Sequence, residues 1–441
     1  DNGPSGKRII LSNAEGRGGG TSPQPTIGPA GPLKTGPEPA VKKPSLGREM
    51  YNFARAITTT LDLSAPLRQG LPMIFSKQFW TSLTQMRKAL GDEAAFQKSL
   101  KDLRGRKLFQ RQYDPNSGKI TKSYAEMAGM NLSDLKTLTS REEAIASNWV
   151  EKGGFLGTDV PYLNKETGAQ RLYKGTVGKG TRATNRAYTA FLNQLRADSF
   201  ESLLKDAYRD FKSGTKGSKN PYTDLTYARE IADFVNTATG RGPLRLATPG
   251  VIGGRLGEGG KFGMVERSGE QFAKFFTDVI FSPRLMASRV RMLNPGTYMM
   301  ASPFVRKQYL KSLLSVAGFA GTVGALAKGL GAEVSMDTNS ADFGKIRIGN
   351  TRLDMAGGFQ QYLVAASRLL TGHTTSSASG KDFELGQGYR PPTRGDVLQN
   401  FATNKLHPVA KFANDLVFAS THQPFQVGDR TLQLFLSLIH I

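Results

Sequence analysis

Ala183-Thr184-Asn185-Arg186-Ala187-Tyr188-Thr189-Ala190-Phe191-Leu192-Asn193-Gln194-Leu195-Arg196-Ala197-Asp198-Ser199-Phe200-Glu201-Ser202-Leu203-Leu204 runs on to Phe211 without a proline or a glycine. Within it Ala187, Phe191, Leu195, Phe200 and Leu204 return every four or five residues, which keeps them on or near one face of a helix. This is the longest clear helix in the chain. It sets the expected fold class as mainly α.

Shorter helical patterns lie on both sides. Upstream, one is predicted through Met50, Phe53, Ala54 and Ile57, with Ser45 as its cap, and Pro66 breaks it. Others follow through Phe75, Phe79, Leu83 and Met86, through Phe96, Leu100 and Leu103, and over 124–127, 133–138 and 141–150. Asp114-Pro115-Asn116-Ser117-Gly118 reads as a turn, and Gly153 to Gly180 as loop. Downstream, helices are expected over 225–237, 266–281, 283–293, 304–330, 359–370, 394–402 and 408–418. Ile346-Arg347-Ile348-Gly349-Asn350-Thr351-Arg352-Leu353-Asp354 alternates in polarity about a Gly-Asn pair that tolerates positive φ, and so predicts a β-hairpin at about 345–355.

The expected architecture is a multi-helix globule with one small hairpin. Residues 1–44, rich in Gly and Pro and carrying Lys7, Arg8, Arg17, Lys34, Lys42 and Lys43, have too little apolar surface to offset ordering and read as a disordered basic linker. A helical domain over 45–240 follows. A glycine-rich stretch, 241–264, marks a boundary before a second helical domain over 265–435. Residues 436–441, Leu-Ser-Leu-Ile-His-Ile, match the translation of a sequencing adapter and are set apart from the fold. With an opening that lacks Met, they suggest a truncated metagenomic fragment.

Lys and Arg number 59 against 36 acids, a formal charge of +23. Such an excess favours polyanionic partners, nucleic acid or an anionic membrane face, although it also serves solubility. The absence of cysteine removes disulfides, thiolate metal sites and cysteine nucleophiles together. His373, His407, His422 and His440 have no metal-ligand spacing, so neither metal nor cofactor is expected. Gly178-Lys179-Gly180-Thr181 and Gly257-Glu258-Gly259-Gly260-Lys261-Phe262 depart from a phosphate-loop pattern and read as basic loops. No Gly-x-Ser-x-Gly elbow is present, and His373 reads as a loop residue. No catalytic residue is nominated and no small-molecule substrate is expected; a hydrolase that pairs distant carboxylates is kept only as an alternative.

The nominated binding residues are cations. Lys101, Arg104, Arg106, Lys107 and Arg111 crowd one segment. Lys174, Lys179, Arg182 and Arg186 crowd a second, with Tyr162, Tyr173 and Tyr188 interleaved, as stacking on single-stranded bases requires. Arg284, Arg289 and Arg291 form a third. Beyond them, Ser312 to Ala327 is sixteen residues without charge, including Leu313, Val316, Phe319, Val323 and Leu326. A membrane span takes about 20 apolar residues, so the expectation is a buried core helix, with Gly318, Gly321 and Gly324 admitting close neighbours such as 359–370. Membrane association is the alternative.

Phe281-Ser282-Pro283-Arg284-Leu285-Met286-Ala287-Ser288-Arg289, Val305-Arg306-Lys307-Gln308-Tyr309-Leu310-Lys311-Ser312-Leu313 and Asp342 through Asp354, continuing into Gly357-Gly358-Phe359-Gln360-Gln361-Tyr362, resemble the large polyvalent protein-associated domains of tailed phages. The resemblance covers residues 237–418. Leu61-Asp62-Leu63-Ser64-Ala65-Pro66-Leu67-Arg68-Gln69-Gly70 extends it weakly upstream. It implies a non-enzymatic module of a very large virion-associated protein, delivered with the genome into the host cytoplasm, with other virion proteins among its partners. It brings no catalytic residues.

Overall fold

Polar side chains set where the helices begin. Ser76, Asp92, Thr167 and Asp224 each accept a hydrogen bond from a backbone N–H in the turn that follows, at 2.8–3.2 Å, satisfying donors the helix itself cannot. The computed structural model describes residues 65–242 and 282–405, apart from 112, 115–118, 131, 133–150, 159, 161, 164, 350, 378 and 389–390. The expected linker 1–44, the helices predicted over 45–57, 133–138, 141–150, 266–281 and 408–418, and residues 436–441 therefore lie outside the described residues.

The fold is mainly α. Helix α1 (Ala65–Arg68) and a 3-10 turn at Leu71–Met73 lead into α2 (Lys77–Gly91) and α3 (Glu93–Arg104). A short α4 (Tyr124–Met127) and α5 (Gly168–Gly175) precede α6 (Val177–Lys212), with α7 (Leu225–Ala238) after it. The second half has α8 (Pro283–Leu293), α9 (Pro295–Met300), α10 (Pro303–Gly329), α11 (Gln360–Thr371) and α12 (Arg394–Thr403).

Helix α6 is the centre, and it starts earlier than the sequence pattern suggests. Gly178-Lys179-Gly180-Thr181 is its first turns rather than a loop. A Cβ on Gly178 would stand 2.2 Å from the Glu151 carbonyl oxygen, so glycine permits the helix to begin against that backbone. Residues 189–197 are all buried. Phe191 packs edge-to-face on Phe79 of α2 (5.6 Å between ring centres), and Phe200 on Phe109 (6.4 Å).

Core residues of the second half join the same cluster: Met292, Val305, Tyr309, Val316 and Phe359 are continuous with Leu71, Phe79, Phe191 and Phe200. The boundary expected at 241–264 thus does not separate two cores. Gly242 shows how closely the halves meet, since a Cβ there would lie 2.3 Å from the Ser288 nitrogen.

The expected hairpin is present as β4 (Lys345–Ile348) and β5 (Thr351–Asp354), Ile348 facing Thr351 across the turn, with Gly349 at φ 59°. A third strand, β3 (Glu333–Val334), joins β4. Two further small ribbons were not anticipated: β1 (Tyr113–Asp114) with β2 (Lys119–Ile120), and β6 (His373–Thr375) with β7 (Asp382–Glu384). His373 is accordingly a strand residue.

The core reading of 312–327 fails. Helix α10 buries Val305, Tyr309, Ser312, Ser315 and Val316 in its first half, but Gly324 alone beyond them. Leu313 and Phe319 pack partly against the core; Val323 is half-buried and Leu326 exposed. The close packing that the glycines were expected to admit is slight: among the described residues nothing lies within 4 Å of a Cβ built at Gly321, and Gly318 and Gly324 meet only Phe75 (3.9 Å) and Val334 (3.8 Å). Gly321→Leu is therefore expected to cause no overpacking loss and instead to raise unfolding stability by about 0.5–1 kcal/mol in chemical denaturation, the helix-propensity gain at an exposed helical glycine. Phe191→Ala, in the centre of α6, should cost about 3–5 kcal/mol in chemical denaturation.

Candidate functional site

The nominated cations do not form one patch, because the fold uses many of them as internal ties. Arg106, just after α3, binds Asp198 (2.7 Å) and Glu201 (3.2 Å) of α6 through Nη1. Burial raises the Glu201 carboxyl above its usual range, and Arg106 opposes that rise. Arg186 of α6 reaches back to Glu93 (3.6 Å) at the start of α3. These two arginines cross-link α3 and α6 from opposite ends. Arg182 donates to the backbone carbonyls of Glu151 and Lys174, closing α5 onto α6. Lys174 itself lies 3.6 Å from Glu166.

Arg111 holds Glu126 of α4, its Nε at 2.8 and 2.9 Å from the two carboxylate oxygens. Glu126 is also the closing residue of a capping box, accepting from the Ser123 N–H at 2.9 Å. Burial alone would raise its carboxyl, yet the bonds from Arg111 and Ser123 outweigh it and hold the group below the usual carboxylate range.

The third cluster is the most internal. Arg291 pairs with Asp233 of α7, and Arg284 is half-buried. Arg289 is 1% exposed. Its guanidinium stacks on Phe359 (4.1 Å to the ring centre) and donates through Nη2 to the Arg68 carbonyl. Burial, aided by the nearby Arg68 charge, pushes it down to about 10. Arg289 is a packing pin, not a ligand-binding cation. It gathers three of the sequence phrases quoted above, since Gly357 also abuts the Leu67 carbonyl, 2.5 Å from where a Cβ would be.

What stays outward is the α3 flank. Lys101, Arg104 and Lys107 are exposed there, beside Lys98, which the sequence reading passed over. Lys179 is exposed on the first turn of α6. The phosphate-loop geometry is missing at Lys179, for a helix and a single linking residue precede it instead of a strand. His373 Nδ1 lies 2.8 Å from Asp382 Oδ2, but the pair stands exposed on the β6–β7 ribbon rather than in a cleft.

The larger outward feature is apolar. Along α10, Leu310, Leu314 (73% exposed) and Leu326 (64%) face solvent together with Ala317, Gly318, Gly321 and Ala325. Only 17% of the helix's most apolar stretch, of mean hydropathy 1.5, is buried. Lys307 and Lys311 lie on the exposed surface beside Leu310 and Leu314. From Pro283 to Ala332 there is no Asp or Glu.

Compared with known proteins, the chain matches no family model, no curated protein and no solved structure.

The Arg111–Glu126 tie has a pH signature. Because the folded carboxyl is depressed, its contribution is complete above the unfolded value of about 4.3 and is lost as pH falls through the lower folded value. In acid denaturation followed by circular dichroism, Glu126→Gln should be less stable at neutral pH and show a shallower decline below about pH 4.

Proposed function

We propose that this chain is a non-enzymatic interaction module of a phage polyvalent or virion-associated protein, and that it attaches to membrane through the exposed flank of α10. The observation that carries this reading is an apolar helix that the described residues leave largely uncovered while its first half is anchored in the core. Exposed apolar surface of this extent on a folded chain marks an interaction site. Placing a Leu or Ile side chain in an apolar phase contributes about 1.5–3 kcal/mol, and each Lys or Arg near an anionic leaflet adds about 1 kcal/mol. Lys307, Lys311 and Lys328 are exposed along the same helix. Its uncharged stretch of sixteen residues is about 24 Å long, short of the roughly 30 Å hydrocarbon layer, which favours partial insertion over a full span. Delivery with a genome into a host cell would supply the occasion, in keeping with the phage resemblance. The meeting of the quoted phrases at Arg289 and Phe359 supports treating them as one module.

Flotation tests the attachment. The full chain is expected to rise with vesicles of equal parts phosphatidylglycerol and phosphatidylcholine. Leu314→Asp/Leu326→Asp should stay at the bottom of the gradient with its thermal stability unchanged. Failure of the parent chain to float would remove the reading.

A second reading rests on the exposed α3 flank, where Lys98, Lys101, Arg104 and Lys107 offer a surface for nucleic acid or another polyanion. Phosphate contacts are read by salt: Lys98→Glu/Lys101→Glu should weaken DNA binding and lower the slope of log affinity against log salt by about 2. Arg289→Met, altering a buried cation, should leave that slope unchanged. Binding that ignores salt would exclude this role.

A further inference from the structure

Two separate elements end side by side at one corner of the molecule. Helix α10 finishes at Gly329 and the chain enters β3 at once, so that β3 and β4 lie against the helix. Between helix end and hairpin turn is a cleft of about 500 Å³, lined by Ala327, Leu330, Ile348 and Gly349 among others. Leu330 is 89% exposed and Ile348 60% exposed. A soluble hairpin would place a polar residue at the Ile348 position, next to its turn. The charged residues that line the cleft, Arg347 and Glu333, pair at 3.2 Å, while Lys328 is exposed on the last turn of the helix.

We infer that this corner, formed by Leu326 and Leu330 of the helix end and Ile348 of the hairpin, enters the membrane first, and that its partner is an anionic phospholipid leaflet. The inference rests on the attachment reading above and adds to it a point of entry and a lipid class. Geometry supports the entry point. The first half of α10 is fixed to Phe234 and Tyr298 through Tyr309, so it offers a bilayer its outer face alone, whereas the far end of the helix is exposed on more than one side. Charge supports the lipid class. The acid-free run from Pro283 to Ala332 places Lys307, Lys311 and Lys328 along the approach, with no carboxylate of that run to repel a phosphate surface.

The chain contains no cysteine, so single cysteines can report on one place each. Leu330→Cys, Ile348→Cys, Leu314→Cys and, as a control, Lys101→Cys would carry an environment-sensitive nitrobenzoxadiazole label. Vesicles of equal parts phosphatidylglycerol and phosphatidylcholine are expected to blue-shift the labels at 330 and 348. Nitroxides on the acyl chains should quench both, and the label at 101 should stay aqueous. Partitioning should fall by at least about tenfold on pure phosphatidylcholine, as loss of electrostatic attraction predicts. If the chain floats but the label at 314 enters lipid while those at 330 and 348 do not, the entry point is wrong and the attachment reading stands. Equal binding to both vesicle types overturns the lipid class. No flotation overturns both readings. A dimer in sedimentation without lipid, with the 330 label already shielded, would show a second copy covering the corner and overturn the inference.

Discussion

The structure depends on enclosing the middle of α6 from every side. A helix of 36 residues is about 54 Å long, and residues 189–197 within it are all buried. Enclosure brings Arg196 inside, and hydrogen bonds to its donors offset part of the cost of burying a guanidinium. Thr239, just past the end of α7, meets Nε with its hydroxyl at 2.9 Å and Nη2 with its carbonyl at 3.0 Å. The end of α7 is thereby fixed against α6. From there Gly242 donates to the Arg284 carbonyl at 3.1 Å and Ser288 donates to the Thr237 carbonyl at 2.6 Å, which seats α8. Arg289, one residue on, pins Phe359. One buried cation in the first half is thus linked through short polar contacts to the packing of the second.

The same logic explains why many of the described cations do not join a continuous basic surface. Arginine brings a planar fork that satisfies carbonyls and carboxylates while its stem packs apolar neighbours. Arg106, Arg182, Arg186, Arg196, Arg289 and Arg291 are all spent between elements in this way. Lysine, a compact and strongly hydrated charge, remains outside, as at Lys98, Lys101 and Lys179. A sequence count of cations treats these populations as one.

Elements whose apolar periodicity is strong were legible in the chain. Helices over 283–293 and 124–127 have the expected bounds, and the Gly349-Asn350 pair announces the turn between β4 and β5. Positions decided by a distant partner were not. Nothing local at Gly178 says that the Glu151 carbonyl will sit where a side chain would be, so the start of α6 looks like loop. The ribbon of His373 and Asp382 forms across a nine-residue separation that carries no alternating pattern. The site was legible only as a set of residue types. Burial divided it, and burial belongs to the tertiary fold.

Helix α10 shows that limit most sharply. Sixteen uncharged residues in a row describe a core helix and an exposed one equally well, because composition is silent about neighbours. The deciding features lie outside the stretch. Tyr309, clasped edge-to-face by Phe234 at 4.9 Å and by Tyr298 at 5.5 Å, anchors the preceding turns. Beyond Val316 only slight cover follows: Phe75 reaches Gly318 at 3.9 Å, and Val334 reaches Gly324 at 3.8 Å, measured to a Cβ at each glycine. A free apolar helix in water would collapse onto the nearest apolar surface or associate. Here the anchored half and the β3–β4 strands against its far end hold the helix extended, so its apolar flank is displayed by the fold rather than exposed by a failure to pack.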